Sequence, residues 1–326
     1  MRNAVRWINN QPAARAFGLL AIILIFAALY QPLAIFAYGV TLDRVVGNLI
    51  VAVALTLVIV LGEIDLSVGS TMAVAGVVLA QSSENIAVAA ALAICAGGFI
   101  GLVNAGLVLV AKVNSFIATL GTMTALSGLA LLLTGSDPIQ LQDSTATIFF
   151  SADIVGQLTL PVLVAFGLTA LVALFMATTK VGREMYAVGG NMDAARAANI
   201  SVTGSKTLGF VLCGMLSAVA GVLNTISQGS ADPTLGATVL LMAIAAAVLG
   251  GAILSGGRGS AIAAAISSIA LGAVAVTLGF GGISASVVLI ITGLILFVAM
   301  VANRESISGL RLDILRRRLL KSGDLP

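Results

Sequence analysis

Ten uncharged, apolar runs divide this 326-residue chain, and the charged residues fall between them. An α-helix rises about 1.5 Å per residue, so about 20 residues without a charge cross the roughly 30 Å hydrocarbon core of a bilayer. The segments that meet or nearly meet this requirement lie at about 17–38, 45–62, 67–81, 86–110, 116–135, 159–179, 207–227, 238–254, 261–278 and 285–302. Only 9% of the residues are charged and 60% are hydrophobic, a balance foreign to a soluble domain of this length. The chain reads as all-α, a polytopic integral membrane protein of about ten transmembrane helices, with residues 1–326 forming a single transmembrane domain.

The distribution of positive charge orients it. With the N-terminus in the cytoplasm, Arg2, Arg6, Arg15, Lys112, Lys180, Arg183, Arg196, Lys206, Arg258, Arg304, Arg311, Arg316, Arg317, Arg318 and Lys321 all fall inside. Arg44 alone falls outside, among Asp43, Glu84, Asp137, Asp143, Asp153 and Asp232. This is the positive-inside pattern, and an even number of spans returns the C-terminus to the cytoplasm. The basic tail, 303–326, then anchors the last helix and attracts anionic lipid, with no nucleic-acid role. The first apolar run lacks a small-residue cleavage site and reads as an uncleaved signal anchor. Cys95 and Cys213 fall within spans as apolar packing residues.

Absent residues exclude whole classes of chemistry. The chain has no histidine, which removes Ser-His hydrolases and His-ligated metalloproteases. None of its four lysines stands in a G-x-x-x-x-G-K-[ST] loop, so energy from ATP has to enter through a partner. No metal or other cofactor is expected on this chain.

Two connections are long. Residues 135–158, with Pro138 and a run of Asp, Ser and Thr, suit an irregular outer cap. Residues 180–206 form the largest inner loop. There Asn191 is an N-cap, Asp193 complements the helix dipole, and Ala194 to Ala198 favour a short helix over 192–198. Asn199 can end it in the left-handed conformation. The Ala pairs leave a helix with little bulk, able to lie closely in another protein's groove.

A second irregularity is the break Gly62 to Ser70, where Glu63 and Asp65 stand between two short apolar runs. A discontinuous helix accounts for it, with Asp65 or Ser67 capping the second half. Such a break is either a gate or a tight structural turn. Gly69-Ser70 recurs as Gly259-Ser260 after another glycine-rich break. Asn104, Asn114, Thr119, Thr122, Thr124 and Ser127 supply uncharged hydrogen-bonding groups in and beside the fourth and fifth spans, for a passing polyol or for neighbouring helices. Gly97, Gly98, Gly101 and Gly106 in the fourth span and Gly209, Gly214 and Gly221 in the seventh imply close helix packing. The one Trp lies at the N-terminal end, so the spans hold no indole on which a sugar could stack.

Four segments carry a resemblance: Leu61-Gly-Glu-Ile-Asp-Leu-Ser-Val-Gly-Ser70, Phe116-Ile-Ala-Thr-Leu-Gly-Thr-Met-Thr124, Gly182-Arg-Glu-Met-Tyr-Ala-Val-Gly-Gly-Asn191 and Ala247-Val-Leu-Gly-Gly-Ala-Ile-Leu-Ser-Gly-Gly-Arg-Gly-Ser260. Together, and in this order, they resemble the ribose-type permeases of ABC sugar importers, a group that includes autoinducer-2 permeases. The resemblance implies a multi-pass subunit of the bacterial inner membrane that moves a monosaccharide or similar polyol by alternating access. It would pair with a second permease, receive sugar from a periplasmic binding protein, and dock on a cytoplasmic ATPase that binds ATP and Mg. The importer coupling motif E-A-A-x-x-x-G is similar to Asp193-Ala194-Ala195 with Asn199.

The implied coupling residues are Gly182, Arg183, Gly189, Gly190, Asn191, Asp193, Ala194, Ala195, Arg196 and Asn199. Candidates for the path or gate are Glu63, Asp65, Ser67, Asn104, Asn114, Thr119 and Thr122. Departures from the family pattern at Glu63, Met242 and the turn 279–284 leave both a homodimer and a heterodimer open. Two other readings are an ion-coupled secondary transporter using Glu63 and Asp65, and a branched-chain amino-acid ABC permease.

Overall fold

The structure, a computed structural model, describes residues 12–81, 85–141 and 144–302. Arg2, Arg6, Glu84, Asp143 and the basic tail 303–326 lie outside the described residues. The helices are α1 (Pro12–Tyr30), α2 (Leu33–Phe36), α3 (Tyr38–Val60), α4 (Val68–Gln81), α5 (Ile86–Leu109), α6 (Ser115–Thr134) and α7 (Ser144–Ser151). There follow α8 (Leu160–Thr178), α9 (Lys180–Gly190), α10 (Met192–Ala197), α11 (Val202–Gln228), α12 (Gly236–Leu249), α13 (Ala261–Phe280) and α14 (Ala285–Ala302).

Among the described residues, seven helices are long and apolar enough to cross a membrane: α1, α3, α5, α6, α8, α11 and α13. Three shorter apolar helices lie at α4, α12 and within α14. Local chemistry sets the ends. Asn85, Asn114, Ser201 and Ser260 each accept a backbone N–H of the helix that follows, and Gly135 and Gly229 end α6 and α11 in the left-handed conformation.

Helix α3 runs through the middle, packed on α8, α11, α12 and α13. Its residues from Val45 to Val60 are buried except Asn48, so it is covered on every side and almost wholly apolar there. Helices α5 and α6 lie at the rim and expose Phe99, Leu102, Phe116 and Ile117, as hydrocarbon-facing surfaces do. Close backbone approach joins α5 to α11: a Cβ on Gly97 would lie 2.5 Å from the Gly214 carbonyl oxygen, and one on Gly101 would overlap that of Phe210. Gly106 differs from the expectation, for it faces open space and packs against nothing. Both cysteines are free, Cys213 buried and Cys95 exposed.

Three boundaries depart from the charge-free windows. Helix α3 begins at Tyr38, so Asp43 and Arg44 lie inside it. Asp43 is accommodated there because its carboxylate accepts the Thr159 hydroxyl at 2.5 Å. Helix α11 begins at Val202 and contains Lys206, and Lys180 opens a helix of its own, α9. The cap expected to be irregular holds structure: α7, an antiparallel pair of β1 (Ile139–Gln140) with β4 (Ser230–Ala231), and another of β2 (Asp153–Val155) with β3 (Leu158–Thr159).

Candidate functional site

The break after α3 is built from residues that close their own polar groups. Gly62 turns the chain at φ +77°, a conformation open to glycine without a Cβ penalty. The backbone then runs beside the start of α6. There the Ile64 N–H donates to the Ser115 hydroxyl (3.4 Å) and the Leu66 N–H to the Thr119 hydroxyl (3.1 Å). Asp65 accepts both the Ser67 N–H (2.8 Å) and the Ser67 hydroxyl (2.6 Å) through Oδ1. The Ser67 carbonyl accepts the Thr71 N–H, so Ser67 is the N-cap of α4 and Asp65 fixes the turn that presents it.

Asn104 extends this cluster to α5. Its Nδ2 donates to the Ser67 hydroxyl oxygen at 2.8 Å and stands 3.4 Å from each Asp65 carboxylate oxygen. Its Oδ1 accepts the Thr122 hydroxyl at 2.8 Å. Asp65, Ser67, Asn104 and Thr119 are buried. Five of the seven path or gate candidates therefore meet in one buried network, in which each side chain bonds to another part of the protein. Asn114 and Glu63 stand apart from it. Asn114 accepts the Phe116 N–H at 3.0 Å as the cap of α6.

Glu63 forms an ion pair with Lys206, 143 residues away in the first turns of α11, with side-chain exposures of 13% and 7%. The Glu63 carboxylate thus has its own counter-charge. Sequence reasoning had both residues and did not pair them. The available signal was one Lys sitting only four residues past the start of a helix, beside a break that carried an extra acid.

The two glycine-rich breaks meet at the end of α9. The Gly257 N–H donates to the Val60 carbonyl at 2.8 Å, joining the α12–α13 connection to the last turn of α3. Gly189 lies between them: an added Cβ would overlap the Val60 carbonyl oxygen and come 2.8 Å from the Gly257 nitrogen. A Cβ on Gly256 would lie 2.7 Å from the Gly189 carbonyl oxygen and 2.8 Å from the Gly62 nitrogen. The Tyr186 hydroxyl donates to the Gly259 carbonyl at 2.8 Å. Tyr186, Gly256 and Gly257 are members of this junction that sequence reasoning missed.

The rest of the 180–206 segment is ordered around this contact. Gly182 lets α9 approach the end of α8, where a Cβ would lie 2.5 Å from the Phe175 carbonyl oxygen, and Arg183 donates to the Thr178 carbonyl at 2.8 Å. Asn191 caps α10, accepting the Asp193 and Ala194 N–H groups at 3.1 and 3.0 Å. Asn199 takes φ +57° just past the helix. Asp193 and Arg196 pair at 3.4 Å on the surface. Ala195 points inward, 3% exposed and packed in the main core, so the exposed face of α10 consists of Asp193, Ala194, Arg196 and Ala197, with Ala198 following.

Residues 41–300 match the family described as "Branched-chain amino acid transport system / permease component". The chain belongs to this family and is a multi-pass membrane transport protein. It is 36% identical over 266 residues to the ribose import permease protein RbsC of Escherichia coli (strain K12), covering 79% of this chain and 82% of that protein. It is 37% identical over 269 residues to the autoinducer 2 import system permease protein LsrD of Escherichia coli (strain K12), covering 79% of this chain and 81% of that one. No solved structure matches the chain.

Proposed function

We propose that this chain is the membrane-spanning permease subunit of an ABC importer that carries a monosaccharide or similar polyol across the bacterial inner membrane. The observation that carries this reading is the 36–37% identity to two import permeases, for ribose and for autoinducer 2, over about four fifths of the chain. Seven long helices and three shorter ones make ten crossings with both termini in the cytoplasm. The shorter α4 and α12, 14 residues each, span about 21 Å and complete their crossings through the breaks beside them.

In this reading the exposed face of α10 seats in a groove of a cytoplasmic ATPase, which binds ATP and Mg. A loaded periplasmic binding protein docks on the outer cap, and a second permease, identical or related, completes the path. The transmission route is short. A pull on α9 and α10 reaches Val60 and Gly257 through Gly189 with no side chain between, so it acts at once on the central helix and on the α12–α13 break. Alternating access then follows from a rigid-body shift of α3 and α13 against their neighbours. The ion pair of Glu63 with Lys206 and the turn held by Asp65 favour structural roles for both carboxylates over the ion site that a secondary transporter would need.

Topology and coupling contact are tested together. A reporter fused after Asn199 should read cytoplasm. Ala197→Trp, on the exposed face, should keep membrane yield while the ATPase no longer co-purifies. A periplasmic reporter signal, or an ATPase retained at the unmodified level, contradicts the proposal.

A further inference from the structure

A cavity of about 390 Å³ lies between α3, α12, α13 and α14, with Arg44, Asn48, Met242, Ser268 and Leu289 among its lining residues. It reaches from Gly279 to Ser268, about 16 Å along α13. Three polar side chains line it, and among the described residues none has a hydrogen-bonding or ionic partner. Ser268 is 3% exposed yet its hydroxyl makes no bond. The Asn48 Oδ1 is covered and unpartnered. Arg44, one helical turn from Asn48 on α3, is exposed and makes no ion pair among the described residues. At the α3–α4 break Asp65, Ser67 and Asn104 close on one another, because an unmet polar group away from water is costly. Thr71 Oγ1 and Ser267 Oγ are also buried without a partner, but neither lines this cavity. Two covered, unmet groups on one cavity, the Asn48 Oδ1 and the Ser268 hydroxyl, with the exposed Arg44 among the lining residues, mark a place where a ligand supplies the partners.

The lining selects the ligand's chemistry. Amide and hydroxyl groups offer both donors and acceptors, suited to a molecule that carries both. No Asp or Glu lines the cavity, so an amino-acid ammonium would find no counter-charge, and Arg44 disfavours a cation. The volume lies in the range of about 300–1,000 Å³ usual for small-molecule sites, and the apolar walls suit the C–H face of a sugar ring. We infer that this cavity is a subsite on the transport path for a neutral polyol of monosaccharide size, held by Asn48 and Ser268 with Arg44 beside them. The inference rests on the sugar-import reading above and goes beyond it in naming where the sugar is held.

The test uses the complex of this chain with its ATPase and binding protein in proteoliposomes, with radiolabelled ribose, a panel of neutral pentoses and hexoses, and leucine as probes. Asn48→Leu removes the amide and Ala275→Phe fills the cavity. Each should lower uptake of the transported sugar about tenfold, the scale of one or two unmade polar contacts. Yield and the stimulation of ATP hydrolysis by loaded binding protein should remain within about twofold. Independently, Ser268→Cys in a Cys95→Ala, Cys213→Ala background should react with methyl methanethiosulfonate, and the transported sugar should slow that reaction. Should a substituted chain fail to fold, protection at position 268 decides. Unchanged uptake in both variants, or labelling indifferent to sugar, overturns the subsite and leaves the import reading standing. A wild-type complex that takes up leucine and none of the sugars overturns both.

Discussion

Glu63→Ala should destabilise the chain by about 3 kcal/mol or more, the cost of leaving a mostly buried charge without its partner. Lys206 is 7% exposed, so without Glu63 its ammonium is left mostly buried and without a counter-charge. The same loss is expected of Lys206→Ala, which strands Glu63. The discriminating variant is the double substitution Glu63→Leu with Lys206→Leu. A buried ion pair replaced by apolar groups of similar size is often neutral, so the double variant should recover most of the thermal midpoint that each single one loses. Exchanging the charges, Glu63→Lys with Lys206→Glu, should also recover it in part. The measurement is thermal unfolding of the detergent-purified chain. A double variant whose loss equals the sum of the two single losses shows that the residues act independently.

Gly189→Ala should be nearly as damaging, while the same substitution one residue on should not. The new methyl at 189 would overlap the Val60 carbonyl oxygen, and neither backbone can yield like the end of a flexible side chain. Relief requires α9 to move off α3 and off Gly257, whose N–H bonds Val60, which opens the junction of the three segments. Overpacking of this kind costs about 1–3 kcal/mol or more, and the displaced junction should also lose transport in whatever chain still folds. At Gly190 an added Cβ meets nothing within 4 Å, so Gly190→Ala should be neutral or stabilise by a few tenths to about 1 kcal/mol through helix propensity. Folded yield and sugar uptake of the two variants, side by side, check this. Equal behaviour at 189 and 190 would mean that backbone contact at the junction does not matter.

The membrane class and the positions of the apolar helices were legible because a hydrocarbon core demands length and excludes charge, both visible in a single sequence. Helix α10 was legible too: Asn191, the Ala run and Asn199 are local signals, and local hydrogen bonds and backbone angles settle them. What failed depends on distant partners. A charge ends a span in a window count, yet Asp43 sits inside α3 because Thr159 meets it, and Lys206 inside α11 because Glu63 does. Gly101 packs and Gly106 does not, a difference decided by which face of α5 meets α11. The inward turn of Ala195 was hidden for the same reason, since alanines give a helix no apolar face to read. The recurrence of Gly-Ser after two breaks hinted at a relation between them, but their meeting at Gly189 is a tertiary fact.

Import coupled to ATP is tested most directly by sugar uptake into proteoliposomes that hold this chain, with and without the partner ATPase, binding protein and ATP. The expected result is uptake of ribose or another neutral sugar only when all three are present, with none from an imposed proton or sodium gradient. Uptake by the chain alone, driven by an ion gradient without ATP, would contradict it and reinstate Glu63 and Asp65 as an ion site.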